Sequence, residues 1–464
     1  MRNAIKLAPR LAVERLRSHQ GSAILDVFAV IAFTVATLLA LTVSGGTWVF
    51  VNWHIHGNPE MMANFGDAAT MVDQQFTSFY VVLAVIACAL VVVPILSLGG
   101  AAARLGARGR SSRLASLRLV GMTGSEVVAM SVVETTFQAL VGMVFGTLAW
   151  LASLPLWSLV SFQTVHLNPT DMRGPWWLWL AVWGIMLILA VSSTIIGLRR
   201  VRISPLGVAN RQTPPAMKSW RFWVFVLAVV VATVLVTNGN AMAQGIVMGV
   251  LVIGGLITVL MLVINLMGPW LIQMIARIRA KTNSVPTLLA SRRVADDPKA
   301  AWRNVSALSL IGFIAAFTLM MPTNDMAAED DVVYRTMLVD LRTGVLITVG
   351  IGLVVAAVST LISQSSSVID RADEERSMDR MGIPRSVFSK MRRRQVLLPL
   401  LVTLAISIGL GLLMASPFMS MVSPSSPMML AGVAIAGIAL SLLAAEACRP
   451  VLNTVLGQTK RRND

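Results

Sequence analysis

Charge is scarce in this sequence, and so are cysteine and histidine. Only 13% of the 464 residues are charged, while 56% are hydrophobic. A water-soluble domain of this length carries about twice that share of charge, so a soluble globular fold is excluded. There are 2 cysteines, Cys88 and Cys448, and no C-x-x-C spacing. Both lie in or beside apolar runs, which speaks against an external disulfide and against a thiolate metal cluster. The sequence also has no G-x-x-x-x-G-K-[ST]. Without that phosphate-cradling loop, any ATP hydrolysis belongs to another chain.

Long uncharged runs fill the space that charge leaves. They cover Val27–Trp53, Gln74–Ala103, Thr135–Thr170, Gly174–Leu198, Phe222–Ala276, Asn304–Asn324, Thr343–Ile369 and Gln395–Ala445. A bilayer-spanning helix needs about 20 apolar residues. Two of the runs are too long for one helix. They are interrupted at "TNGN" (237–240) and "SPFMSMVSPSSP" (416–427), where Pro, Ser, Asn and Gly favour turns. The expectation is an all-α polytopic membrane protein with about ten spans. These are 23–44, 78–100, 127–152, 175–198, 221–237, 243–275, 304–322, 343–364, 396–415 and 428–447.

The formal net charge of +16 is distributed unevenly. With a cytoplasmic N-terminus, the outer loops carry only Arg173, Arg335 and Arg342 among the 38 basic residues. This is the positive-inside pattern. It predicts a multi-pass membrane protein with both termini cytoplasmic. The basic loops then meet anionic membrane lipid, and nucleic acid is not an expected partner. Residues 1–22 carry charge throughout and lead into a full-length span, unlike a cleaved signal peptide. Leu7, Leu11 and Leu16 form one stripe among basic residues, as in a helix lying in the membrane interface.

The chain also resembles itself. "LRLVGMTGSEVVAM" (117–130) lies over "MDRMGIPRSVFSKM" (378–391), pairing Gly121 with Gly382, Ser125 with Ser386, Val127 with Phe388 and Met130 with Met391. "LAVERLRS" before the first span resembles "LASRRVAD" before the seventh. Two four-helix units joined by a two-helix hairpin follow, with boundaries at 1–211, 212–280 and 281–464. In each unit a charged stretch precedes a helical segment, a break at Gly121–Met122–Thr123 or Gly382–Ile383–Pro384, and then the next span. Gly and Pro let the chain turn at the break. The result is a short helix lying across the cytoplasmic face.

"RSSRLASLRLVGMTGSEVV", followed by a span that begins near Glu134, resembles the FtsX-like (MacB-type) permease domain, as does "LRRVRISPLGVANR" after the fourth span. The second copy is weaker. It keeps Met381–Gly382–Ile383–Pro384 but ends in "ACRPVLNTVLGQTK" without the Ser-Pro. The ten-span layout is similar to that of bacitracin-export-type and other type VII ABC permeases, without their large outer domains. The resemblance implies an ABC transporter permease of the bacterial inner membrane with no cofactor of its own. ATP would be bound by a partner ATPase dimer on the cytoplasmic face. Leu117, Arg118, Gly121, Met122 and Thr123, with Met381, Gly382, Ile383 and Pro384, would couple to that dimer. The implied function is export or extraction of an amphipathic substrate such as a peptide antibiotic, a lipid or a hydrophobic toxin. The alternative is ATPase-driven control of an extracellular cell-wall enzyme or sensor kinase, through an extracellular protein partner. A secondary transporter would need membrane-centred carboxylates, and these are nearly absent.

Glu134, with Gln138 one turn on, forms the candidate intramembrane polar pair. Gly142 with Gly146, and Gly245 with Gly249, have the G-x-x-x-G spacing of close helix pairs. His54 and His56 fall on one side of an extended outer segment and are candidate ligands for a metal or haem. Solvated loop histidines are the preferred reading.

Overall fold

The computed structural model describes residues 21–65, 74–109, 123–203, 220–238, 246–320, 332–416 and 425–457. The stripe of Leu7, Leu11 and Leu16 lies outside these residues. The elements in chain order are α1 (Gly21–His56), α2 (Pro59–Phe65), α3 (Gln74–Gly109), α4 (Gly124–Trp157), β1 (Ser161–Phe162), β2 (Val165–His166), α5 (Pro169–Arg173) and α6 (Trp176–Ile203). There follow α7 (Trp220–Asn238), α8 (Ile246–Arg279), α9 (Val285–Asp296), α10 (Pro298–Leu319) and α11 (Val332–Asp370). The chain continues through α12 (Ala372–Arg380), α13 (Arg385–Met414), α14 (Ser425–Glu446) and α15 (Arg449–Gly457).

The protein is an all-α polytopic membrane protein. Among the described residues, 6 helical stretches are long and apolar enough to cross a membrane. They are Ile24–His56, Gly124–Trp157, Trp176–Ile196, Arg335–Ile369, Ser386–Met414 and Ser425–Asn453. Shorter apolar helical stretches at Phe76–Cys88, Pro94–Ala103 and Trp220–Val231 lie in α3 and α7. The long helices coincide with the uncharged runs for a simple reason. With no water to bond backbone amides inside a bilayer, a helix satisfies every one of them internally.

The helices pair in a recurring order. In the first half α1 packs on α3 and α4, and α6 packs on α3 and α4. In the second half α10 packs on α11 and α13, and α14 packs on α11 and α13. The halves meet where α11 lies against α3 and α1. The α7–α8 hairpin sits beside the second half, with α8 against α9 and α10.

Three apolar clusters hold this arrangement. One fills the second half around Trp302, Phe313 and Leu400. A second spans both halves at the end of the bundle where basic residues concentrate, here the basic end. It joins Phe33 and Leu98 to Phe388, Met391 and Val451. The third lies at the opposite end, under the two-stranded β1–β2 hairpin, and joins Trp53, Phe65, Tyr80, Trp150 and Phe162 to Val333. Aromatics also mark both ends on the outside. Trp176 and Trp177 open α6, and Trp220 and Trp223 open α7, all of them exposed, as in the belts that sit at membrane–water interfaces.

Candidate functional site

At the basic end α12, a turn and α13 follow one another, as the sequence pattern predicts. The helix α12 stops by a Schellman motif. The Gly382 amide donates to the Asp379 carbonyl at 3.0 Å, and the Ile383 amide donates to the Met378 carbonyl at 3.2 Å. This closure puts residue 382 at φ +82°, a left-handed conformation that glycine takes without penalty. Ile383 and Met378 each pack against the shared core cluster. Pro384 then caps α13 in extended geometry, with φ −59° and ψ 141°. The outcome is a rigid turn with an apolar tip, since Met381 stays 72% exposed.

The turn rests on a braced helix. Arg293 on α9 donates to Glu375 on α12 at 3.4 Å and lies 3.9 Å from Glu374. Arg371 holds Glu374 from the other side at 3.6 Å. The C-terminal helix α15 packs on α12 and continues onto α1 and α11. Both Arg293 and Glu375 are buried side chains. Burial pushes the Glu375 carboxyl above the ordinary carboxylate range, against the pull of Arg293 and Arg392. Burial likewise pushes the Arg293 guanidinium down.

A pH dependence follows. The folded protein holds the Glu375 proton more tightly than the unfolded chain. That contribution to stability is complete below the ordinary carboxylate range and is lost as pH rises through the raised folded value. Arg293→Met removes the nearest opposing charge. It should cost about 3 kcal/mol at about pH 8 and regain most of that at about pH 5. Melting temperatures of the purified chain at the two pH values check this. An equal loss at both would assign the effect to packing instead of charge.

In the first half, Leu117, Arg118, Gly121 and Met122 lie outside the described residues. Thr123 is described and is the N-cap of α4. It forms a capping box, with the Thr123 amide donating to Glu126 at 3.1 Å and the Glu126 amide to Thr123 Oγ1 at 3.4 Å. One turn on, Val127 and Met130 are buried, as are Phe388 and Met391 in α13. Ser125 and Ser386 are both exposed.

Farther along α4, Glu134 and Gln138 are buried side chains on the face turned to the bundle. Gln138 Nε2 donates to Asp26 of α1 at 2.8 Å. Asp26, near the start of α1, is buried in this contact. The stripe continues at Gly142 and Gly146, where α1 comes so near that added Cβ atoms would lie 2.5 Å from Phe33 Cβ and 2.6 Å from the Thr34 carbonyl oxygen. Of the other small-residue pair, Gly245 lies outside the described residues.

The histidine expectation is corrected in its geometry. His54 and His56 are not on an extended segment but in the last turn of α1. Two helical positions apart, they point to different sides. His54 Nδ1 lies 2.8 Å from Thr77 Oγ1, and exposed His56 Nδ1 lies 3.3 Å from the Asn52 carbonyl.

A polar contact that sequence reading missed ties the halves together at the β-hairpin end. Asp340 of α11 is buried, and its Oδ2 accepts from the Tyr80 hydroxyl of α3 at 2.7 Å and from the Gln163 amide at 2.7 Å. Gln163 and Thr164 form the hairpin turn with φ 54° and 66°, the left-handed pair that a tight hairpin needs. The span bounds 304–322 and 343–364 leave Asp340 in the connection between them. The stretch from Val332 to Leu341 holds no Gly or Pro, so continuation of the helix was legible. The partner was not, because Tyr80 is 260 positions away.

Comparison with known families fits this layout. Residues 95–205, from the middle of α3 through α6 and just past it, match the family model described as FtsX-like permease C-terminal. No curated protein and no solved structure gives a significant match to the chain. The protein is therefore a multi-pass membrane protein that carries an FtsX-like permease domain. The match covers residues 95–205 alone and supports a permease component of an ABC transporter.

Proposed function

We propose that this chain is a ten-span permease subunit built from two four-helix repeats, residues 1–211 and 281–464, around a helical hairpin at 212–280. The helix pairing that recurs in the two halves supports the repeats. In this reading the basic end faces the cytoplasm of a bacterial cell, because only Arg173, Arg335 and Arg342 among the Lys and Arg residues fall between spans at the opposite end in the ten-span division of the sequence. An ATPase dimer docks there on two handles, Leu117–Thr123 and Met381–Pro384. Nucleotide-driven closure of the dimer presses the handles, and α4 and α13 carry the push toward the other end. The cargo is amphipathic, a peptide antibiotic, a lipid or a hydrophobic toxin, and reaches the protein sideways from the bilayer. The apolar flanks of α4 and α6, with Phe145, Leu148, Ile185 and Ile188 exposed, support such an entry.

The observation that carries this reading is the exposed, rigid Met381–Gly382 turn on the braced helix α12. Met381→Asp changes only the exposed tip. It should leave the melting temperature unchanged while weakening ATPase co-purification about tenfold or more, as loss of a central apolar contact does. Retention of full, stimulated ATP hydrolysis in the eluate would remove the second handle from the proposal. A second reading has one observation in its favour. At the β-hairpin end α2, β1–β2 and α5 cover the apolar cluster as a folded platform, a surface on which an extracellular enzyme or sensor could dock. Transport assays with peptides and lipids separate the two readings.

A further inference from the structure

We propose that the exposed face at the C-terminal end of α8 is a binding site for an anionic phospholipid, holding its phosphate between Arg277 and Lys281. A shallow groove of about 290 Å³ lies along this face, lined by Trp270, Gln273, Met274, Arg277, Ile278 and Lys281. Spacings of three and four put Trp270 to Ile278 in one stripe on one side of the helix, and Lys281 follows in the turn just past its end. The stripe is graded along its length. Trp270, Met274 and Ile278 offer an apolar wall, with Met274 and Ile278 exposed, and the cations come at the end.

From Trp270 to the end of α8 at Arg279 the helical rise gives about 14 Å, the reach of a headgroup and the upper part of an acyl chain. The Phe222 ring of α7 packs 5.8 Å from Trp270 and fixes the indole. Gln273 Nε2 donates to the Ala295 carbonyl at 3.2 Å and ties the floor of the groove to α9. Arg277 and Lys281 form no ion pair among the described residues, so their charge is left to the groove. Trp220 and Trp223 open α7 nearby, at the level where headgroups lie. Basic pockets between membrane helices select anionic headgroups in this way. An apolar stripe without the cations would accept any lipid. A soluble anion would make no use of the apolar wall. The grading of the stripe fits one occupant, a phospholipid with a net negative headgroup.

Brominated lipids test this, because bromine quenches tryptophan on contact. The purified full chain and its Trp270→Phe variant are titrated with brominated phosphatidylglycerol and, separately, with brominated phosphatidylcholine. The difference between the two proteins isolates Trp270. Half-maximal quenching of Trp270 is expected at about tenfold lower phosphatidylglycerol than phosphatidylcholine. Arg277→Gln with Lys281→Gln should abolish that preference. Arg279→Gln, on another side of the same helix, should keep it. Melting temperatures confirm that each variant is folded. Equal quenching by the two lipids overturns the proposal, as does a preference that survives the double substitution. Loss of the preference in inorganic phosphate at matched ionic strength also overturns it, since the site would then be one for soluble anions.

Discussion

Asp340→Ala is expected to lower the stability of the folded chain by about 2–6 kcal/mol, because two buried donors lose their acceptor at once and each stranded group costs about 1–3 kcal/mol. Both the Tyr80 hydroxyl and the Gln163 amide bond the same oxygen, Oδ2. Asp340→Asn keeps an oxygen that can take that place. It should cost far less, which separates the acceptor from its charge. Tyr80→Phe removes one donor and should relieve part of the alanine variant's loss, so the two changes will not add. Thermal melts of the single and double variants in detergent measure all of this. If asparagine were as damaging as alanine, charge would be the reason for the contact and the hydrogen-bond account would fail.

Gly146→Val and Gly142→Val are expected to be the most damaging changes inside the bundle. The new side chain at 146 would meet the Thr34 carbonyl oxygen at 2.6 Å and Thr37 Cβ at 2.8 Å; at 142 it would meet Phe33 Cβ at 2.5 Å and the Val30 carbonyl oxygen at 2.9 Å. Backbone atoms cannot swing aside as a side-chain tip does, so α1 and α4 must separate. Overpacking of this kind costs about 1–3 kcal/mol per site and more where the main chain is displaced. The two changes together should abolish the monodisperse peak in size-exclusion chromatography. Gly184→Ala is the control. Nothing lies within 4 Å of its added Cβ, and alanine is the better helix former. A double variant that remained folded and active would mean that the close approach of these helices is not required.

Hydropathy made the all-α class and the placement of the apolar helices legible, because a bilayer permits so few backbone solutions. The helix, break and helix around Gly382 were legible for a local reason, since a Gly before Ile-Pro is a helix-stop signal. The polar contacts between helices were not. Gln138 reaches Asp26 across 112 positions and Tyr80 reaches Asp340 across 260. Periodicity tells which residues share a face but not which faces meet. The histidine pair shows the same limit at short range, since the apolar run told that α1 crosses but not that it stays helical to His56. The hairpin turn escaped for lack of chemistry. "SFQTVH" holds neither the Asn nor the Gly that marks a left-handed turn.

That missing glycine has a mechanical consequence. Left-handed geometry costs an ordinary residue about 1–2 kcal/mol, and more at a β-branched one such as Thr164. The turn is held there in part by the bond from Gln163 to Asp340. The β1–β2 pairing of Phe162 with Val165 imposes these angles on the turn, and the bond to Asp340 reinforces them from the other half. The strain of the turn is therefore carried by two attachments, one within the hairpin and one across the halves, and loss of the second leaves the first to bear it alone.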